Sequence, residues 1–197
     1  KMFRDMDGMV LENVVLTDAL ECCWHCRNAK LRGVQAEHGD YLFMHGENID
    51  VDGFRLNGNY SFQYCRNVVI RNAEIHSKDA FWNTEDVTVY DSVVDGEYLG
   101  WHSRNLRLVN CRISGTQALC YAENLVLENC TLGEDADLCF EYSSVHAEIK
   151  GRVHSVKNPR SGRIVAEEYG DIILDEHCKA PANCSIETGK AQSGEAA

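Results

Sequence analysis

Side chains that could take part in chemistry recur along this sequence at intervals of about nineteen residues. Asp79 and His102 are the candidate catalytic residues, because a carboxylate and an imidazole that lie close together can act as acid and base. Aromatic, amide and imidazole side chains recur around them. Such groups suit a sugar, since ring faces cover its C–H patches and polar groups bind its hydroxyls. The candidate substrate-binding residues are His45, Tyr60, Tyr64, Asn83, Tyr98 and Tyr121.

Ten cysteines are a second set of reactive side chains. Cys23 and Cys26 form a C-x-x-C sequence, which also occurs in zinc sites and in redox-active disulfides. No second pair of ligands follows at a suitable spacing, and Cys111 and Cys130 fall at equivalent positions of the repeat described below. The sequence therefore predicts buried, reduced thiols, with no metal and no other cofactor. Reduced thiols in turn favour a cytoplasmic location.

A repeat with polar corners must position these side chains. Asparagine or aspartate recurs every nineteen or twenty residues, at Asn28, Asn48, Asn67, Asp86, Asn105 and Asn124. We call these the corner residues. Five residues after each corner lies a second small or polar residue, in the series Gly33, Gly53, Asn72, Asp91, Asn110 and Asn129. Glycine and asparagine tolerate the left-handed backbone of a tight turn, so both series predict bends in the chain.

Short runs of alternating apolar residues lie between the bends, as in Val68 and Ile70. Such runs are typical of β-strands. Three short strands in nineteen residues leave no segment for a crossover helix, so we predict an all-β fold, a right-handed parallel β-helix with three sheets. About 7–9 turns, here called rungs, form one domain over residues 1–175, with irregular closing rungs at 143–175. Residues 176–197 are predicted to form a C-terminal tail.

The residue just before each corner alternates in charge along the repeat. The series is Arg27, Glu47, Arg66, Glu85, Arg104 and Glu123. Stacked rungs lie about 4.8 Å apart, so opposite charges would be neighbours and like charges would be separated by two rungs. The coil therefore predicts that Arg66 lies beside both Glu47 and Glu85.

The strand before each corner bears the aromatic side chains, and strand alternation decides which of them face solvent. The charged residue just before each corner must point outward, so the residues three and five positions before the corner are predicted to point outward too. They include the histidines named above, together with Phe43, Phe62 and Phe81. The residues four positions before the corner are predicted to lie inside, among them Trp24, Trp82 and Trp101.

An exposed aromatic face has three interpretations: it binds or cleaves a carbohydrate, it is the interface of a homo-oligomer, or its rings pack within the protein. The edge of the first rung is another candidate interface, because no helix covers it. We expect that this edge pairs with another chain or follows further rungs. The net charge of −12 repels nucleic acids and anionic membranes. No apolar run reaches the roughly 18–20 residues that cross a bilayer.

The asparagine-cornered repeat resembles the right-handed parallel β-helix superfamily of pectate lyases and polygalacturonases over residues 8–175. Runs such as YSFQYCRN and GTQALCYAENL resemble a bacterial family of unknown function within it. The resemblance implies the fold but no established activity. The N-T-E-D run at 83–86 departs from the N-T-D motif of polygalacturonases, and the K-N-P-R run at 157–160 misses the spacing of the pectate lyase arginine motif. An enzyme of this kind would be a carbohydrate-active hydrolase or lyase without either known set of motifs.

Overall fold

Short strands separated by bends run through residues 1–190, the part of the chain that this computed structural model describes. In chain order the strands are β1 (Val10–Glu12), β2 (Val15–Leu16), β3 (Arg27–Arg32), β4 (Gln35–Glu37), β5 (Glu47–Asp52), β6 (Arg55–Asn57), β7 (Arg66–Arg71), β8 (Glu74–His76), β9 (Glu85–Tyr90), β10 (Val93–Asp95), β11 (Arg104–Val109), β12 (Arg112–Ser114), β13 (Leu125–Leu132), β14 (Ser144–Lys157), β15 (Ser161–Ile173) and β16 (Cys184–Thr188). One turn of 3-10 helix, Pro181–Asn183, precedes β16.

Equivalent strands of successive rungs pair in parallel. The first strands of successive rungs stack in the order β1, β3, β5, β7, β9, β11, β13, and the second strands stack as β2, β4, β6, β8, β10, β12. Arg66 of β7 lies opposite Glu47 of β5 and Glu85 of β9, as the alternating charges predict. The chain is therefore a parallel β-solenoid of about nine turns, and the predicted all-β coil with rungs of about nineteen residues is confirmed.

The corner residues adopt the left-handed backbone conformation that their sequence predicts. Their φ angles lie between 50° and 56°, and those of Asn72 and Asn110 in the second series are 51° and 54°. The corner side chains also bond from rung to rung: the Asn67 amide donates to Asn48 Oδ1 at 2.6 Å, and the Asn48 amide donates to Asn28 Oδ1 at 3.0 Å. Asparagine recurs here because it tolerates this conformation and can both donate and accept along the axis.

The third side of each rung is not a strand, which corrects the prediction of a third sheet. In the segment before the corner, every second residue has a positive φ, as at Tyr60 (62°), Phe62 (57°) and Tyr64 (57°). The backbone still bonds between rungs, since the Phe62 N–H donates to Leu42 O at 2.8 Å and the Tyr64 N–H donates to Trp82 O at 2.9 Å. A chain that bends at every second residue has no flat pleat, so strand alternation does not apply to it.

This backbone turns side chains outward at the third position before the corner and buries the fifth. The prediction that the phenylalanines face solvent is therefore wrong, because all three are fully buried: Phe43, Phe62 and Phe81. The prediction that the tryptophans lie inside is also wrong, because all three are half-buried at the surface: Trp24, Trp82 and Trp101. The outward orientation of the histidines is confirmed, since His25, His45 and His102 are exposed.

On alternate rungs of the third side, one side chain donates a hydrogen bond to the backbone of the next rung. Each lies four positions before a corner and donates to a backbone oxygen of the next rung: Trp24 to Tyr41 at 2.7 Å, Gln63 to Asp79 at 3.1 Å and Trp101 to Gln117 at 2.6 Å. This contact explains how the polar Gln63 can be buried, because a buried amide needs a hydrogen-bond partner.

The interior of the coil is filled by stacked apolar residues and by thiols. Val68, Val87 and Leu106 are fully buried at equivalent positions of successive rungs. All ten cysteines are unpaired, and Cys111 and Cys130 are neighbours, as predicted. The hydrogen bond between these two thiols raises the pKa of Cys130. No helix within residues 1–190 is long and apolar enough to cross a membrane.

The C-terminal rungs contain longer strands than the rest of the coil. Strands β14 and β15 pair in parallel, with a register shift between Ile149 and Arg152. The structure differs from the tail predicted at 176–197, because β16 pairs in parallel with β15 and adds a further partial rung. The end of the predicted tail, residues 191–197, lies outside the described residues.

Candidate functional site

A column of exposed rings runs along the third side of the solenoid. It consists of the residues three positions before the corners and their continuation, namely His25, His45, Tyr64, Asn83, His102, Tyr121 and Tyr142. We call it the outer column. Its neighbouring rings stack, with centroids 5.0 Å apart for His25 and His45, 4.9 Å for His45 and Tyr64, and 5.1 Å for His102 and Tyr121. The rung spacing explains these distances, because it places equivalent rings directly above one another.

Asn83 interrupts the outer column between Tyr64 and His102. A groove with a volume of about 600 Å³ opens at this point, and both rings line it together with Asn83. Its base is formed by small residues two positions before the corners: Gly46, Thr84 and Ser103. The groove thus opens where the outer column has no ring and the residues two positions before the corners are small.

The alternating charges form one edge of the groove. Arg104 Nη2 lies 3.0 Å from Glu85 Oε1, and this hydrogen bond raises the pKa of Arg104. Arg66, Glu47 and Glu123 line the same edge. Guanidinium donors and carboxylate acceptors therefore alternate along the groove at the spacing of the rungs, and both can bind hydroxyl groups.

Two tryptophans belong to an aromatic cluster next to the groove, which we define as Trp82, Tyr98, Trp101, His102 and Tyr121. Of these rings, His102 and Tyr121 line the groove itself. Its ring centroids lie 5.3 Å apart for Trp82 and Trp101, 5.0 Å for Tyr98 and Trp101, 4.9 Å for Trp101 and Tyr121, and 5.4 Å for Trp82 and His102. The hydrogen bond from the Trp101 indole fixes that ring in place.

The sequence prediction missed these tryptophans as surface residues. A signal was present, because tryptophan is rarely buried completely and its N–H needs a partner when it is.

The predicted substrate-binding residues Tyr60 and Tyr98 lie in a second, parallel series seven positions before the corners. Tyr41 and Tyr60 stack with centroids 4.7 Å apart, and the Lys78 ammonium lies 5.2 Å from the centre of the Tyr98 ring. Asp79 occupies this series between the two predicted tyrosines. Tyr98 joins this series to the aromatic cluster through its contact with Trp101, but neither Tyr60 nor Tyr98 lines the groove.

The two candidate catalytic residues lie on neighbouring rungs but in different surroundings. Asp79 is buried, and desolvation together with the charge of Glu97 raises the pKa of its carboxyl, although Lys78 opposes the shift. His102 is exposed and lines the groove, where its ring packs against Trp82. No hydrogen bond within the described residues joins Asp79 to His102. The structure therefore does not bring this pair into direct contact.

The groove continues toward the C-terminal end in a smaller cavity of about 270 Å³. His102 and Tyr121 belong to both, and the cavity adds Tyr142, Arg160 and Lys179. Arg160 lies 3.8 Å from Glu123, and the Lys179 ammonium lies 6.0 Å from the centre of the Tyr142 ring. The outer column thus ends in a cationic rim that the sequence prediction did not identify.

The C-x-x-C sequence lies near the N-terminal end, away from the groove. A hydrogen bond with Cys23 lowers the pKa of Cys26 to about 7, and the Cys26 thiol also bonds to Phe3 O at 2.7 Å. Within residues 1–190, no group of three or more histidine, cysteine or acidic side chains is arranged to hold a metal ion.

These features define a parallel β-solenoid with an interrupted aromatic column beside an alternating row of charges. No curated protein and no solved structure matches the chain. A family model does match it over residues 1–187, and its description is "Protein of unknown function (DUF3737)". The match covers most of the chain, so the protein belongs to this family.

Proposed function

We propose that this protein binds a carbohydrate in the groove on its third side. The observation that carries the proposal is the open groove of about 600 Å³ between stacked rings and an alternating row of charges. Rings such as Tyr64, His102 and Tyr121 can cover the apolar faces of sugar units, while Arg66, Arg104 and the glutamates bind hydroxyls. Successive rungs repeat this pairing of ring and polar group, which suits a ligand that is itself a chain of similar units.

The burial of the phenylalanines favours this function over self-association through the same face. An interface core is depleted of charged residues and enriched in apolar contact area. Here Phe62 and Phe81 are inside the protein, and the exposed face combines histidine, tyrosine and asparagine with a row of arginine and glutamate. Such a polar surface is better suited to a hydrated ligand. A homo-oligomer formed through this face or through the N-terminal edge stays the alternative.

We also propose kinship with the pectin-lyase-like superfamily, which the asparagine-cornered parallel coil supports. Cleavage of the bound glycan stays a prediction. In this predicted cleavage reaction Asp79 would be the general acid, because burial raises the pKa of its carboxyl and favours the protonated form. His102 would act from the next rung, with the substrate lying between the two groups. Ten unpaired cysteines support the proposed cytoplasmic location.

A glycan array tests the binding proposal. We expect the wild-type protein to bind a subset of neutral oligosaccharides, and His102→Ala to weaken that binding about five- to thirtyfold, since one lost stacking contact in a groove costs roughly 1–2 kcal/mol. His25→Ala is the matched control, because His25 belongs to the outer column but does not line the groove.

Binding by no glycan, or equal losses for both variants, would contradict the proposal. Light scattering with Tyr64→Asp tests the alternative. A wild-type dimer that this exposed substitution converts to monomers would show that the face is an interface.

A further inference from the structure

We infer that the gap above Asn83 is a slot for a single neutral pyranose ring, held between the rings of Tyr64 and His102. This inference rests on the proposed function and names the ligand class of the same groove. It is carried by the spacing of the rings, the charges around the gap and the backbone conformation at Asn83.

The spacing of the rings leaves room for one sugar ring. Tyr64 and His102 are two rungs apart, so their rings are separated by about 10 Å, or two inter-strand spacings. A flat ring fills one such place elsewhere in the outer column, where His45 and Tyr64 stack with centroids 4.9 Å apart. A chair-shaped pyranose with axial hydrogens is thicker and can contact Tyr64 on one face and His102 on the other.

The charges around the gap disfavour an acidic sugar. Glu47, Glu85 and Glu123 line the groove with the guanidinium groups of Arg66 and Arg104, and Arg160 of the adjoining cavity lies 3.8 Å from Glu123. Arg104 already contacts Glu85 at 3.0 Å.

His45 lines the groove on the N-terminal side of the gap and adds no positive charge at neutral pH. Partial burial and the neighbouring His25 lower the pKa of His45, which is therefore uncharged. The groove therefore offers no excess of positive charge to a carboxylate, sulfate or phosphate on the sugar, and the net charge of −12 on the chain repels such a ligand. Neutral sugars meet no such repulsion.

The base of the slot supplies polar groups without occupying it. From His25 to Tyr142, all within the described residues, Asn83 is the one member of the outer column without a ring. Its amide can donate to one sugar hydroxyl and accept from another. Thr84 and Ser103 beneath it are small and buried, so their side chains leave the slot open.

The substitution Asn83→Tyr is the direct test, because it should fill the slot without disturbing the fold. Asn83 has φ 57°, and Tyr64 and Tyr121 occupy the equivalent positions with φ 57° and 58°. A tyrosine at 83 therefore has two precedents in this chain, and its ring would continue the stack between Tyr64 and His102. We expect an unchanged or raised thermal midpoint, and at least a tenfold loss of binding to the neutral oligosaccharides that the wild-type protein binds on a glycan array.

Two further variants make the test decisive. His25→Tyr, in the same column but away from the groove, should leave glycan binding unchanged. Tyr64→Asn removes one wall of the slot while keeping a residue that tolerates positive φ, and it should weaken binding at least fivefold even if Asn83→Tyr fails to fold.

The outcomes separate this inference from the proposed function. A wild-type protein that binds no glycan overturns both. A wild-type protein that binds glycans overturns the slot alone in three cases: Asn83→Tyr folds and keeps its affinity within twofold, Tyr64→Asn keeps it, or acidic glycans bind better than their neutral counterparts.

Discussion

The sides of this solenoid that consist of strands differ from the third side in how the sequence determines them. On the strand sides, period-two alternation and polar corners specify the backbone, and Val68 and Ile70 are buried in β7 as that pattern predicts. On the third side, every second residue is left-handed, and the burial of Phe62 beside the exposed Tyr64 follows a different rule. Large rings can therefore lie close together at the surface on the side that has no regular strands.

The largest effect is expected from removing a ring that is buried on the third side but would be exposed if this segment were a strand. Phe62→Ala should lower the free energy of unfolding by about 3–5 kcal/mol, because it leaves a cavity among Phe43, Phe54 and Phe81. Urea denaturation measures this loss. The exposed neighbour gives the control, since Tyr64→Ala should cost less than about 1 kcal/mol. Similar losses in both variants would show that the two positions do not differ in burial.

A corner joins the third side to the strand side, and its replacement should have an intermediate effect. Asn67→Ala should lower the free energy of unfolding by about 2 kcal/mol, because alanine disfavours φ 50° and cannot donate to Asn48 Oδ1. Asn67→Gly relieves the backbone cost and should recover about half of the loss. Chemical denaturation of both variants checks this. A glycine variant no more stable than the alanine variant would mean that backbone strain contributes nothing at the corner.

The smallest effect is expected on the outer surface of the shorter strands. His76 Nε2 lies 3.1 Å from Glu74 Oε1 and Nδ1 lies 3.1 Å from Asp95 Oδ2, and these contacts raise the pKa of His76. A pKa that is higher in the folded state stabilises the fold fully below the unfolded value of about 6.5, and the contribution disappears as pH rises through the folded value. The side chain is nearly half exposed, so the contribution should stay below about 1 kcal/mol.

Comparison with His76→Gln measures this contribution. The stability difference between wild type and variant should be larger at about pH 5.5 than at about pH 8.5, since the charged imidazole is lost between them. A difference that is constant with pH, or that grows toward alkaline pH, would contradict the expected sign.

The repeat, the corners and the register could all be predicted from the sequence, because each has a local physical signature. Asparagine at regular intervals indicates left-handed corners, and alternating charge before them placed Arg66 beside Glu47 and Glu85. The closing segment was harder, since Ser144 and Ser161 replace the corner asparagine and the spacing to Asn183, which precedes β16, departs from nineteen residues.

The third side could not be predicted, because bulky residues rarely adopt positive φ and no hydrophobic period announces such a segment. The site was predicted only in part for the same reason. His45, His102 and Tyr121 point outward whether the segment is a strand or a series of bends, so their orientation was predicted correctly. Trp82 and Trp101 change sides between the two backbones, so they were assigned to the interior.

The position without a ring, now at Asn83, could be moved along the solenoid by substitution. Successive rungs have the same backbone conformation at the outer column. A position without a ring can therefore be moved by exchanging side chains alone. Filling position 83 with tyrosine and placing asparagine at 64 would relocate the vacancy by one rung, leaving His45 and the new tyrosine as its walls. In such a protein the position of a binding site along the axis is set by a pair of exchangeable side chains, and specificity can migrate in steps of one repeat.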